Sequence, residues 1–330
     1  MNTHRLSLRP VLLILAAALC ALPASAARRT DDALSLVPGD AAAVAVVRWN
    51  EVRSSALGAK LLSETDHVTA DGDAARFMAE ARLNPKEDVD VIVIAGSPAV
   101  SGSGPGAGLV LFEGRFDTDR LSSALVARGG ERKSAPGGDY FLLPQGSDSG
   151  HHGKPGAVAF ASSHLVIAGD EASVIEALAR RNAGGADFAS RAALGRNFSR
   201  IAPDASVWAL IDVKRFPLAQ RARAEGSGQA GELIGALKSV SVVALQAAVR
   251  GEAIDISAAG VTENDETRQL MEDSLRGVVA MWRLAVQEKS PEAVSMLRRF
   301  KIGNDGQAVT IKGTLTGDYL RSLSDKRAVK

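Results

Sequence analysis

The feature that most constrains this chain is a strand-opening phrase that occurs twice. "VPGDAAAVAVVRWNEV" covers residues 37–52, and "APDASVWALIDVKRF" covers 202–216. With Asp40 set against Asp204, Ala41–Val52 runs in step with Ala205–Phe216: small or apolar residues, then a charge, then apolar again. Proline fixes φ and an aspartate side chain can bond the backbone two residues on, so each phrase reads as a turn that launches a strand. Val44 and Val46 alternate with Ala45, Val47 and Trp49, and Trp208 and Leu210 alternate with Ala209, Ile211 and Val213. Both faces are apolar, which suits a central strand covered on both sides.

The text after each phrase also repeats. Helical stretches follow Asn50 and Phe216, and then come paired strands: "VDVIVIAGS" with "AGLVLFEGRF", and "SVSVVALQAAV" with "EAIDISAAGVT". Next come helices, "DTDRLSSALVARG" in the first copy and a long amphipathic one in the second. The latter carries Met271, Leu275, Val278, Val279, Trp282 and Val286 at helical spacing. Ser290-Pro291-Glu292 reads as the start of a separate helix. Each copy ends with a strand running into Gly-Asp and a helix, with Asp170 and Asp318 as N-caps. The fold class expected is α+β, with two tandem similar halves. Each half is read as a mainly antiparallel sheet with helices packed on one face. The boundary falls in the Gly-rich "NAGGAD", giving repeat 1 over 27–186 and repeat 2 over 187–330.

Residues 1–26 read as a signal peptide. Arg5 and Arg9 make a basic start, Val11–Leu22 is apolar, and Ala24-Ser25-Ala26 is a small-x-small cleavage site. The apolar run falls short of the about 20 residues a spanning helix needs, and no later run approaches that length, so no stable transmembrane span is expected. Cys20 is the chain's single cysteine, so cleavage leaves a mature chain without disulfide, thiolate or cysteine ligand. The formal net charge is +1 and drops below zero without Arg5 and Arg9. Such a balance gives no electrostatic case for a nucleic-acid partner. The expected location is outside the cytoplasm, in the periplasm or beyond the cell.

Motifs for chemistry are sparse. "GSDSG" places Asp148 where a nucleophile elbow needs serine, "GKP" at 153–155 lacks a P-loop's flanking residues, and "GSGPGAG" lacks dinucleotide spacing. The carboxylate pairs Asp71/Asp73, Asp88/Asp90 and Asp117/Asp119 do not extend into a calcium loop, and Asp117 and Asp119 suit a helix N-terminus. His151 and His152 form the only histidine cluster and are weak candidates for a metal, short of the three protein ligands that zinc needs. His67 and His164 read as turn or surface residues. No catalytic residue and no cofactor is assigned. Trp49, Trp208 and Trp282 lie on apolar faces and are expected in the core. Arg48 and Asp212 occupy equivalent strand ends, where solvated charges are expected.

The two proline-aspartate-alanine openings and the strand–Gly-Asp–helix endings resemble a loose group of uncharacterised bacterial exported proteins with signal peptides and duplicated α+β halves. The resemblance brings no activity and no site residues. The expected role is a non-enzymatic binding or interaction protein of the cell envelope, its partner a protein or small ligand. The long first-half loops "SPAVSGSGPGAG" and "PQGSDSGHHGKPG" form the contact region. Two alternatives stand beside it: a hydrolase using carboxylates or a loop metal, and a carrier holding an apolar ligand between two curved sheets.

Overall fold

The computed structural model describes residues 30–55, 58, 73–97, 108–144, 156–184, 188–191, 193–215, 239–287 and 291–319. In chain order these form α1 (Thr30–Leu36), β1 (Ala43–Val47), α2 (Trp49–Ser54), α3 (Asp73–Ala81), α4 (Pro85–Asp88), β2 (Val89–Gly96) and β3 (Gly108–Gly114). Then come α5 (Thr118–Ala127), β4 (Glu131–Ala135), β5 (Gly138–Leu142), β6 (Gly156–Ser162), β7 (Leu165–Asp170), α6 (Glu171–Asn182) and α7 (Phe188–Arg191). A 3₁₀ turn (Gly195–Arg200) leads into β8 (Val207–Asp212), β9 (Val240–Arg250) and β10 (Ala253–Thr262). The chain continues through α8 (Asp265–Gln287), α9 (Pro291–Arg298), β11 (Lys301–Asn304) and β12 (Ala308–Leu315).

All twelve strands join one sheet, in the order β11-β12-β10-β9-β8-β1-β2-β3-β7-β6-β5-β4. Each neighbouring pair is antiparallel. The α+β class with a large antiparallel sheet is therefore as expected. The strands do not divide into two sheets, because the repeated phrases pair with each other at the centre. Ala45 faces Ala209, and the ladder runs symmetrically outward to Ala43–Ile211 and Val47–Val207. Two flanking hydrogen bonds extend that ladder reciprocally: Arg48 N–H donates to Ser206 O at 2.8 Å, and Asp212 N–H donates to Ala42 O at 2.7 Å. The launching turns close alike, with Ala41 N–H on Pro38 O at 3.1 Å and Ala205 N–H on Ala202 O at 3.0 Å. The expected boundary at 186/187 lies outside the described residues.

Helices cover both faces of the sheet, not one. Residues alternate across a strand, and here both alternating sets are apolar, so each needs its own cover. On the front face Val46, Val93, Leu111, Ile167, Trp208 and Leu210 pack with Leu36 of α1 and Val174, Ala177 and Leu178 of α6. On the back face Ile92, Phe112, Val158, Phe160 and Val166 pack with Phe77 of α3 and Leu121 and Ala124 of α5. Farther along the back face, Met271 and Leu275 of α8 meet Val243, Ile302, Val309 and Ile311. Trp208 is buried and joins an aromatic row with Phe198 and Phe188, at centroid spacings of 5.4 and 6.1 Å. Trp49 is half-buried on the back face. Trp282 departs from expectation: it is 45% exposed, with Met281 and Leu284 also exposed on α8. A helix stripe reads the same whether or not a sheet lies beneath its whole length.

Two caps stand where the sequence placed them, whereas Asp318 lies within the helical turn 317–319 and not at its cap. The Asp117 carboxylate accepts Arg120 N–H at 3.1 Å and starts α5. Asp170 accepts Ser173 N–H at 3.1 Å to start α6, and its second oxygen accepts Gly108 N–H at 3.0 Å, tying that cap to β3. The β4–β5 hairpin was not foreseen. Its tight turn uses Gly137 at φ 108° and Gly138 at φ 145°, values open to glycine but strained for other residues.

Candidate functional site

The front face changes character beyond β9. Counting rungs outward from the Ala45–Ala209 pair, Leu109 of β3 and Ser257 of β10 hold equivalent places, as do Ala95 and Gln246. One strand further, Ile167 corresponds to Thr310 and Gly169 to Lys312. On the next strand Ala157 corresponds to Lys301 and Ala159 to Gly303. In the first half these positions form the apolar bed under α6. In the second half the same face is polar and cationic.

That face forms an open groove of about 460 Å³, bordered by Asp204, Gln246, Arg250, Asp255, Ser257, Arg299, Lys301, Lys312 and Thr314. One side is tied down by hydrogen bonds. The Gln246 Oε1 accepts Ala202 N–H at 2.6 Å, and its Nε2 donates to Arg200 O and Ser257 Oγ, both at 3.2 Å. Thr314 Oγ1 donates to Asp255 Oδ1 at 2.7 Å. Arg250 pairs with Asp204 and lies 3.9 Å from the other Asp255 oxygen. Both groove carboxylates are thus already engaged. The other side is cationic: Arg299, Lys301 and Lys312 are exposed. Among the described residues none of the three has an acidic partner within salt-bridge distance.

Packing sets where these cations stand. Lys301 and Lys312 face each other directly in the β11–β12 ladder. Between Arg299 and Lys301, Phe300 lies over β12 at Gly313, so close that a Cβ there would come within 2.6 Å of the ring. Only glycine admits that approach. The β11–β12 turn is held to the 3₁₀ turn by Arg200, which donates to Asp305 Oδ2 at 2.6 Å and Gln307 Oε1 at 2.8 Å. Burial pushes the Asp305 carboxyl up, but N–H bonds from Gln307 and Ala308, with the Arg200 guanidinium, outweigh it and hold the group below its ordinary range.

The described candidates, His164, Arg48, Asp88, Asp90, Asp117 and Asp212, do not border the groove. His151, His152 and His67 fall outside the described residues, as do most of both long loops. His164 sits at the β6–β7 turn with Nδ1 2.9 Å from Gly114 O, a hairpin contact. Asp88 accepts Asn84 N–H at 2.7 Å, Asp90 pairs with Arg53 at 2.7 Å, and Asp117 caps α5, while Asp71 lies outside the described residues. Among the described residues, no three His, Cys, Asp or Glu side chains gather where a metal could be held. Arg48 and Asp212 do not pair: Arg48 donates to Pro203 O and Ala205 O, and Asp212 accepts the N–H groups of Lys214 and Arg215. No described helix is long and apolar enough to cross a membrane. The groove went unread in the sequence, where its signals were the basic run "RRFK" at 298–301 and the polar alternation of Thr310, Lys312 and Thr314.

No family model matches the chain, and none of the curated proteins matches it. Among solved structures it is similar to TP0453. Crystal form III aligns at 12% identity and a TM-score of 0.49, over 88% of this chain and 96% of that one. Form IV aligns at 10% identity and 0.49, over 88% and 95%. Form I aligns at 9% identity and 0.45, over 89% and 96%.

Proposed function

We propose that the protein is an exported, non-catalytic binding protein of the bacterial cell envelope, in which two copies of one α+β unit share a sheet and the second copy presents its front face to a ligand. The observation that carries this reading is the groove itself. Equivalent rungs are apolar and covered by α6 in the first half, and polar, cationic and open in the second. Large buried apolar surface drives folding, so a unit gains nothing in stability by turning such a bed polar. A binding role gives that exchange a purpose.

The duplication is supported by the ladder centred on Ala45 and Ala209 and by its reciprocal hydrogen bonds. Both halves also place the helix after their third strand, α5 or α8, on the back face. Export rests on the reading of residues 1–26 as a signal peptide; Edman sequencing of protein from a periplasmic fraction is expected to begin at Ala27. The binding reading is preferred to the apolar-carrier alternative because the described strands form one sheet and not two curved ones facing each other.

The binding reading is tested on residues 27–330. A broad hydrolase panel is expected to show no turnover, while ligand titrations followed by amide NMR move resonances along β10, β11 and β12. Turnover abolished by alanine substitution of one carboxylate would overturn it.

A further inference from the structure

We infer that the groove is a binding site for a small polyanion, an organic molecule carrying two or more carboxylate or phosphate charges, held between Lys301, Lys312 and Arg299. The inference rests on the binding reading above and names the chemistry of its ligand.

The first observation is a repulsion retained in the fold. Lys301 and Lys312 stand on one rung of the β11–β12 ladder, on the same face. Like charges placed directly opposite across a ladder destabilise it. Their equivalents in the first half are Ala157 and Gly169, which carry no charge. Protection of an exposed edge by lysine accounts for Lys301, since β11 ends the sheet. It does not account for Lys312, one strand in from that edge.

The second observation is the charge state of the groove. Asp204 pairs with Arg250, and Asp255 keeps its charge while accepting from Thr314 and lying 3.9 Å from the same arginine, so four cations border the groove against two carboxylates. Arg299 joins the two lysines along the border, so three cations face one concavity with no acidic partner among the described residues. A net excess of one sign of charge in a concavity raises the local concentration of counter-ions. Charge-assisted contacts to carboxylate or phosphate are the strong class of hydrogen bond, with guanidinium suited to a bidentate grip and ammonium acting as a point charge.

The third observation is size and preparation. A volume of about 460 Å³ falls in the usual range of roughly 300–1,000 Å³ for small-molecule sites. Gln246, Ser257, Thr314 and Asp255 are already bonded to one another or to the backbone. This polar lining beside the cations is therefore in place before a ligand arrives, which lowers the cost of binding.

The test uses residues 27–330 in 150 mM salt with three probes: citrate, pyrophosphate and the neutral sugar maltotriose. Calorimetry gives affinity, and amide NMR locates the site. Citrate, pyrophosphate or both are expected to bind and to shift Ser257, Lys301 and Lys312, and whichever binds identifies the anionic group. The double variant Lys301→Gln/Lys312→Gln is expected to lose at least about tenfold in affinity, the loss that removal of charge-assisted contacts brings. Lys214→Gln, which removes a lysine paired with Glu263 outside the groove, is expected to stay within about twofold. Unfolding midpoints of the variants at or above that of the parent show that the loss is not misfolding. Anion affinity unchanged in the double variant overturns the assignment. Maltotriose binding at the same resonances, with no anion bound, overturns the polyanion and leaves the binding groove standing. Silence of those resonances to every probe overturns both.

Discussion

Neutralising either lysine of the facing pair should stabilise the protein, and the size of that gain follows from the ladder. Residues directly opposite in an antiparallel pair have Cβ atoms about 5 Å apart. Two unit charges at about 5 Å in water repel by about 0.8 kcal/mol. Lys301 and Lys312 are both exposed, so their ammonium groups can swing apart, and about 0.3–0.8 kcal/mol is expected. Each of Lys301→Gln and Lys312→Gln removes the whole of that pair repulsion. The double variant therefore gains no more from the pair than one substitution does, and the cycle shows a coupling of that size. Urea unfolding at about 20 mM salt reads it as a rise in midpoint of roughly 0.1–0.3 M for a slope near 3 kcal/mol/M. In about 1 M salt the screening length shrinks to about 3 Å, and the gain should largely vanish. Single variants that are destabilised at low salt, or additive gains indifferent to salt, would show that the two charges do not oppose each other. The repulsion step in the polyanion inference would then fail.

Three further outcomes follow from the fold. Leu210→Ala, at a fully buried central rung, should cost about 2–5 kcal/mol by calorimetry, whereas a loss under about 1 kcal/mol would place Leu210 outside a close-packed core. Gly137→Ala should cost about 1–3 kcal/mol, because φ is 108° and the new Cβ would lie 2.4 Å from Leu178 O; an unchanged midpoint would mean that the hairpin does not dock on α6. The Asp305 carboxyl is held below its ordinary value of 3.8, so its charged form is favoured by folding. That contribution is fully present above about pH 4 and fades as pH falls through the folded-state value. Asp305→Asn should flatten the urea-midpoint profile below about pH 4, and a profile of unchanged slope would show that the Asp305 carboxylate contributes nothing there.

Much of the local structure was legible because its causes are local. The alternation in Val89–Gly96 and Gly108–Gly114, the caps Asp117 and Asp170, and the apolar stripe of Asp265–Gln287 each lie within a few residues of the element they specify. The β4–β5 hairpin was not legible. Glu131–Ala135 is almost wholly exposed and shows no apolar alternation, so the turn glycines Gly137 and Gly138 were its one signal. Trp282 misled for a related reason: its place on the stripe of Met271 and Leu275 says which way it faces, not whether anything lies opposite.

By itself the sequence determined that two strand-opening phrases exist and that both faces of each strand are apolar. Periodicity and turn chemistry are written along the chain, so they need no partner to be read. Tertiary structure decided that those two strands pair with each other, that one sheet results, and that helices cover both of its faces. It also decided the site. Gln246, Ser257, Lys301 and Lys312 come from four strands and Arg299 from the turn after α9. Their convergence depends on register between distant segments, which no local pattern records.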